Sequence, residues 1–399
     1  MFEELFGKRE EISLLIDIGN GSIAGALASF SENGKPKILF NTRKAFDITD
    51  TQSNAKLVEN TYTLLNDILK EIMKDKVIKS SKISDALISF SSPWFVLETK
   101  NIHISNDKPF IITKIFIEDV KNKQEALFKK KFEGSTEKSF QSHSVKVLDK
   151  AIISSKLNGY TLKNNIGKKT KIFDASICLS AVSKIVANKV LSIISKQTGI
   201  DQDGIVMNSF PLISYTVVRD FFITDNNYLI MDITGETTDI TMVIDGVLVK
   251  NISFPLGRNF IIRQIAKRLN VSAEISESMF HLYTLDKVND EDKNIIYEVL
   301  GSVENEWSIS FGDALSDLSP NMVLPSKVFL TADDDVAPFY SDCMRLPKTD
   351  TTVIFRKNVN IIHINKQIIS HIYENDLRVK TDEFIGLLAI FYNQSKNNE

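Results

Sequence analysis

Twice in this chain a run of strand-forming residues reaches an Asp and is cut at once by a turn: LLIDIGNGSIAGALASF at residues 14–30 and YLIMDITGETTDITMVIDG at residues 228–246. In each copy a second apolar run, another turn and a third run follow, at residues 37–40 in the first and 247–254 in the second, which is the pattern of an antiparallel meander. Each meander leads into a stretch with helical spacing, residues 57–73 and 260–269. A repeat at this separation is too long for a solenoid, so it predicts a duplicated α/β domain whose halves bring their meanders to one shared cleft.

The rest of the chain divides around the two copies. Residues 1–83 and 169–225 read as two parts of a first domain, interrupted at 84–168 by an inserted α+β unit. That unit alternates strand-like runs (86–90, 95–104, 145–154) with a charged helical stretch at 117–132. From residue 176 a strand leads into an amphipathic helix that ends at Gly199, as a helix C-cap does. Residues 226–375 form the second domain, with a reduced helical part at about 272–325 anchored by Trp307 and a short strand at 327–331. Residues 376–399 carry an apolar helix at 384–392 that returns to the first domain, then a polar tail, NQSKNNE, expected to fray.

Composition excludes several classes of function. With 399 residues, 43% of them hydrophobic, the chain can bury the cores of two or three units. Lys and Arg total 48 against 51 Asp and Glu, so the net charge of -3 gives no global pull toward nucleic acid or an acidic membrane. Two cysteines, Cys178 and Cys343, make neither a disulfide framework nor a CxxC pair, which fits a reducing cytoplasm. The start, MFEELFGKREE, lacks the apolar core of a signal peptide, and no run reaches the ~18 apolar residues of a membrane span. Phe2, Leu5 and Phe6 beside Lys8 and Arg9 could form a short amphipathic turn, too small to anchor alone. The run FKKKF at 128–132 reads as the solvated face of a helix. The five histidines have no metal-ligand spacing, and no GxSxG, GxxxxGK[ST] or HExxH motif occurs.

The two Asp-turn units are what carry chemistry. A glycine-containing turn at the mouth of a hairpin exposes N–H groups that can cup phosphate oxygens, because no Cβ blocks the approach. The candidate binding residues are Gly19, Asn20, Gly21 and Ser22 in the first unit. In the second they are Thr234, Gly235, Glu236, Thr237, Thr238 and Asp239. Asp17 and Asp232 are placed to hold a hydrated Mg²⁺, the usual companion of polyphosphate. Asp and Gly are also ordinary turn formers, so either unit alone reads as a plain hairpin. Their duplicated context favours a clamp on a nucleotide.

DIGNGSIAGAL and DITGETTDI resemble the two phosphate loops of the actin-like ATPase superfamily, which includes the heat-shock chaperones and sugar kinases, and within it the branch of the division protein FtsA and the pilus platform protein PilM. ISFSSPWFVLETKNIHI and VKVLDKAIISSKLNGYTLKNN are similar to the insert of FtsA. GIDQDGIVMNSFPLISYTVV and FIGLLAIFY resemble the two connecting helices. The resemblance implies duplicated actin-like (ribonuclease H-like) domains around a central cleft, an inserted α+β subdomain, and Mg·ATP between the domains. It also implies protein partners in a division or pilus/envelope assembly complex, self-association, and a cytoplasmic protein that reaches the inner face of the membrane through its partners.

Departures from the family's pattern matter as much. Glu236 stands where glycine is usual, and its carboxylate is expected to face the phosphates, where like charges near 4 Å repel by about 4 kcal/mol at an effective ε of ~20. Asn208 stands at the family's water-positioning site with a shorter side chain. In the adenosine loop Thr331 precedes Ala332 and Asp333, which take the places of paired glycines, and Asp333, Asp334 and Asp335 put negative charge beside them. The chain also ends at Glu399 without the membrane-targeting helix usual in FtsA, and its region after the second meander is short, as in PilM. Two readings stay open: a scaffold with a degenerate cleft and no catalytic residue, or a working ATPase that binds Mg·ATP and closes on it.

Overall fold

The computed structural model describes residues 10–31, 34–49, 54–132, 144–162, 164–222, 226–319, 324–345, 359–380 and 382–398. Phe2, Leu5 and Phe6, expected to form an amphipathic turn, lie outside the described residues. The chain opens with strands β1 (Glu10–Ile18), β2 (Ser22–Ser29) and β3 (Lys37–Ala45), then helices α1 (Asn54–Ile72) and α2 (Val77–Ser80) and strand β4 (Ser81–Phe90). Next come β5 (Phe95–Ile111), α3 (Lys114–Lys130), β6 (Val145–Leu157), β7 (Tyr160–Thr161) and β8 (Lys169–Ser183). Helix α4 (Lys184–Thr198), strand β9 (Ile205–Ser209) and helix α5 (Phe210–Phe221) lead to the second meander, β10 (Tyr228–Ile233), β11 (Thr238–Ile244) and β12 (Val247–Phe254). Helices α6 (Arg258–Leu269), α7 (Ala273–Thr284) and α8 (Asp290–Leu318) follow, then β13 (Lys327–Ala332), α9 (Ala337–Arg345), β14 (Asn360–His363), α10 (Lys366–Ile369), β15 (Glu374–Asn375) and α11 (Glu383–Asn398).

The duplication is visible in strand order. One sheet runs β15-β3-β2-β1-β4-β9 and another β12-β11-β10-β13-β14. Leaving out β15, each sheet has a meander whose first strand pairs in parallel with the next strand along the chain. Asp17 and Asp232 occupy matching places, each one residue before the end of its strand. Asp17 faces Ala24 and Ser89, and Asp232 faces Asp239 and Thr331.

Burial follows the apolar periodicity of the strands. Leu14, Ile16 and Ile18 point to the side of the first sheet covered by α1 and α4. Leu15 instead joins a cluster with Phe210, Tyr215, Ile385 and Leu388, so α5 and α11 pack together in a core that includes Ile230 and Phe329 of the second sheet. These are the helices expected to connect the two halves. Trp307, fully buried and stacked 4.7 Å from Phe311, anchors the α6–α8 layer on the second sheet.

A third sheet, β5-β8-β6-β7, lies in the chain between β4 and β9 and carries α3 on one face. Its strands span residues 95–183, which differs from the 84–168 expected of the insert. Residues 84–90 are the end of β4 in the first sheet. The strand expected to return the chain to the first domain is the second half of β8, the central strand of the third sheet. The FKKKF run is a helix end whose two rings meet edge to face at 5.2 Å, with Lys129 and Lys131 paired to Glu125 and Glu98.

The tail expected to fray is instead helical, since α11 runs to Asn398. Lys396 binds Asp85 at 2.8 Å and lies over the rings of Phe30 and Tyr392, and Asn393 donates to Gly34 O. These long-range contacts hold a polar sequence in helical form. Among the described residues no helix is long and apolar enough to cross a membrane.

Candidate functional site

The two Asp-turn units touch. A Cβ built on Gly21 would lie 2.5 Å from the Cα of Gly235, a distance that real Cβ atoms do not tolerate, so only glycine at both positions permits this approach. Asn20, 1% exposed, reaches from the first turn into the second. Its Nδ2 donates to Thr237 Oγ1 and to Ser92 O, each at 2.6 Å. Its Oδ1 accepts from the Glu236 N–H at 2.7 Å and from the Thr234 hydroxyl at 3.4 Å. Beside it, Ser92 Oγ donates to Asp239 at 2.6 Å, and Trp94 Nε1 fixes the first turn by donating to Gly19 O at 3.0 Å.

Behind the turns lies a group of buried acids. Asp17 accepts from Arg43 Nη2 at 3.0 Å through Oδ2, while its Oδ1 accepts no hydrogen bond from a described residue. Arg43 also grips Asp382 at 2.8 and 3.0 Å, and its Nη1 donates to Ser22 Oγ at 2.8 Å. Asp382 in turn caps α11 by accepting from the Ile385 N–H. Asp232, 5% exposed, has no hydrogen-bond partner at either oxygen among the described residues. The same holds for the hydroxyl of its neighbour Thr331.

Burial, and then the neighbouring Asp239, Asp17 and Asp333, pushes the Asp232 carboxyl well above its usual range. Burial raises Asp17 as well, against the pull of Arg43, and lifts Asp239 to about 6. Desolvation disfavours the charged form of each acid, and a second acid nearby adds to that cost.

Several expected site residues are engaged by partners within the protein. The Glu236 carboxylate, expected to face the phosphates, is gripped by both arms of Arg263, at 2.9 and 2.8 Å, and by Asn259 Nδ2 at 2.9 Å. Asn208 Nδ2 donates to Asp149 in the third sheet at 2.8 Å. The Thr238 hydroxyl donates to Leu256 O and accepts from Trp307, inside the second core. Ala332 is buried, its carbonyl 3.1 Å from His363 Nε2. The negative charge expected at 333–335 is largely answered by Arg258, paired with Asp335 at 2.8 Å and 3.6 Å from Asp333.

The residues that sequence reasoning missed are mostly partners of these groups: Arg43, Arg258, Arg263, Ser92 and Asp149. The one signal for the arginines is that buried or crowded carboxylates require a counter-charge.

The fit to Mg·ATP is therefore split. Unpartnered oxygens on Asp232 and Asp17 suit a hydrated cation, although no set of three or more His, Cys, Asp or Glu among the described residues is arranged to hold a metal ion by itself. The turns that would clamp the phosphate chain are in contact, and Asn20 takes the N–H of Glu236.

No protein-family model matches the sequence, and no curated protein matches it. Solved structures do. The PilM–PilN type IV pilus biogenesis complex contains a chain similar over 98% of this one and 100% of its own length, at 14% identity and a TM-score of 0.63. The ethanolamine utilization protein EutJ from Carboxydothermus hydrogenoformans covers 95% of this chain, over 89% of its own, at 10% identity and a TM-score of 0.46. A Bacteroides thetaiotaomicron protein with an actin-like ATPase fold covers 96%, over 97% of its own length, at 13% identity and a TM-score of 0.41. With the duplicated sheets, the first of these likenesses defines the class: this chain has the actin-like ATPase fold, and PilM shares it.

Proposed function

We propose that this chain is a scaffold or assembly platform of the FtsA/PilM type, acting through protein–protein contacts in cell division or in envelope or pilus assembly rather than by turning over nucleotide. The observation that carries this reading is the contact of Gly21 with Gly235, with Asn20 filling the second turn. In this proposal the partners are proteins of such a complex, and the chain works in the cytoplasm, held near the inner face of the membrane by them. The likeness to a chain of the PilM–PilN complex supports it.

The second reading, a Mg·ATP-binding ATPase whose cleft closure controls assembly, is favoured by the unpartnered oxygens of Asp17 and Asp232. Thermal denaturation of the wild-type chain with and without Mg·ATP separates the two. Ligand at a thousand times its Kd adds about 4.1 kcal/mol, so an unmoved transition at millimolar Mg·ATP supports the scaffold. A clear upward shift that Asp17→Ala removes supports the ATPase.

A further inference from the structure

Asn20 bonds the two halves through a single side chain. It makes four hydrogen bonds, the one from Thr234 the longest at 3.4 Å, and three of the four cross from the first turn to the second. There the Thr237 hydroxyl accepts from its Nδ2, and the donors that meet its carbonyl oxygen are the backbone N–H of Glu236, in a glycine-containing turn, and the Thr234 hydroxyl. That donor set suits an oxyanion. The side-chain carbonyl oxygen of Asn20 sits on it as one oxygen of such an anion would.

We propose that Asn20 is a resident internal ligand of the second turn: a latch that holds the halves together and that any oxyanion must displace to bind. The proposal rests on the scaffold reading and says how its cleft is kept shut. The Gly21–Gly235 contact lets the latch reach its site, and the Ser92–Asp239 bond closes beside it. A latched turn binds with an affinity reduced by the fraction of molecules that are open, so weakening the latch raises apparent affinity without adding any contact to the anion.

The test uses the full chain, Asn20→Ala, and inorganic pyrophosphate, which needs no adenosine site. Hydrogen exchange at the Glu236 amide and small-angle scattering report opening, and calorimetry reports binding. The expected result is faster exchange at Glu236, a larger radius of gyration, and pyrophosphate binding at least about tenfold tighter than in the wild type, with pyrophosphate restoring protection of the amide. Should Asn20→Ala fail to fold, Thr237→Val removes one acceptor of the latch while keeping side-chain shape, and faster exchange at Glu236 is again expected. Unchanged exchange in the folded variant, or equal pyrophosphate affinity in Asn20→Ala and wild type, overturns the latch. Binding of Mg·ATP by the wild type would instead overturn the scaffold reading, leaving the latch to stand or fall on the difference between variant and wild type.

Discussion

Arg43 Nη2 stands 3.0 Å from Asp17 Oδ2, so the first Asp-turn unit carries its own counter-charge on the third strand of the same meander. The same guanidinium holds Asp382 at the start of α11. Asp382 stays below the usual carboxylate range despite its burial because Arg43 faces it, and Arg43 is held protonated against its own burial by Asp382 and Asp17.

Removing Arg43 should therefore cost more than an ordinary surface change. Arg43→Leu leaves two buried carboxylates without their cation, and losing one partner of a buried pair costs about 3 kcal/mol or more. Urea denaturation is expected to show a loss of that order, with Asp17→Asn in the same chain recovering part of it. Independent, additive effects of the two substitutions would mean that the pair is not coupled.

Glu236 gives a second expectation. Because Arg263 and Asn259 neutralise and hold its carboxylate, Glu236→Ala should lower stability by about 1 kcal/mol, the range for a partly exposed ion pair, and should leave phosphate affinity as it was. A gain in Mg·ATP binding from this substitution alone would show that its charge, and not the latch, guards the turn.

How much of this was legible in the sequence depends on the range of the interaction. The meanders, the helix ending at Gly199 and the Trp307 anchor are local patterns of spacing and turn residues, and they stand where expected. The first half of β8 alternates and most of its second half is continuously buried, so only the part from residue 176 stands out in the sequence as a strand, whereas the strand runs Lys169–Ser183. The direction of Glu236 was illegible because Arg263 reaches it from the next helix. Asn208 likewise shows no sign in its own surroundings of Asp149, which lies far earlier in the chain. The α11 tail was misread for the same reason, since Asp85, which holds Lys396, is in β4.

Acid should tighten the junction between the halves. Burial raises Asp239 to about 6, against hydrogen bonds from Ser92, Ser253 and Thr237. The folded chain thus keeps a proton between the ordinary Asp range near 3.8 and pH 6 that the unfolded chain releases. Stability from this group is fully present below the lower value and is lost as pH rises through about 6. The difference is about 3 kcal/mol at 1.36 kcal/mol per unit, and burial pushes Asp232 in the same direction. Unfolding free energy is expected to rise from pH 7 to pH 5, and Asp239→Asn to flatten that rise. An Asp239→Asn chain with the wild-type pH profile would assign the dependence elsewhere.

Asp149 offers the sharpest mechanical test, because it ties the third sheet to the start of α5. It is 1% exposed at an irregularity of β6 and accepts hydrogen bonds from the hydroxyl of Ser180 in β8, the hydroxyl and N–H of Ser209, and Asn208 Nδ2. Burial still raises its carboxyl against all of these donors, so the network holds a costly charge in place. Ser209 is the residue before α5, where a carboxylate also meets the positive end of the helix dipole. Asp149→Ala leaves these donors buried without an acceptor, at about 1–3 kcal/mol for an unsatisfied group. The expected signature is local: faster hydrogen exchange at Ser209 and along β6, with β10 and β11 protected as in the wild type. Asp149→Asn, which keeps the shape and one acceptor oxygen, should fall between the two. Equal protection at Ser209 in Asp149→Ala and wild type would show that the third sheet is held to α5 by apolar packing alone.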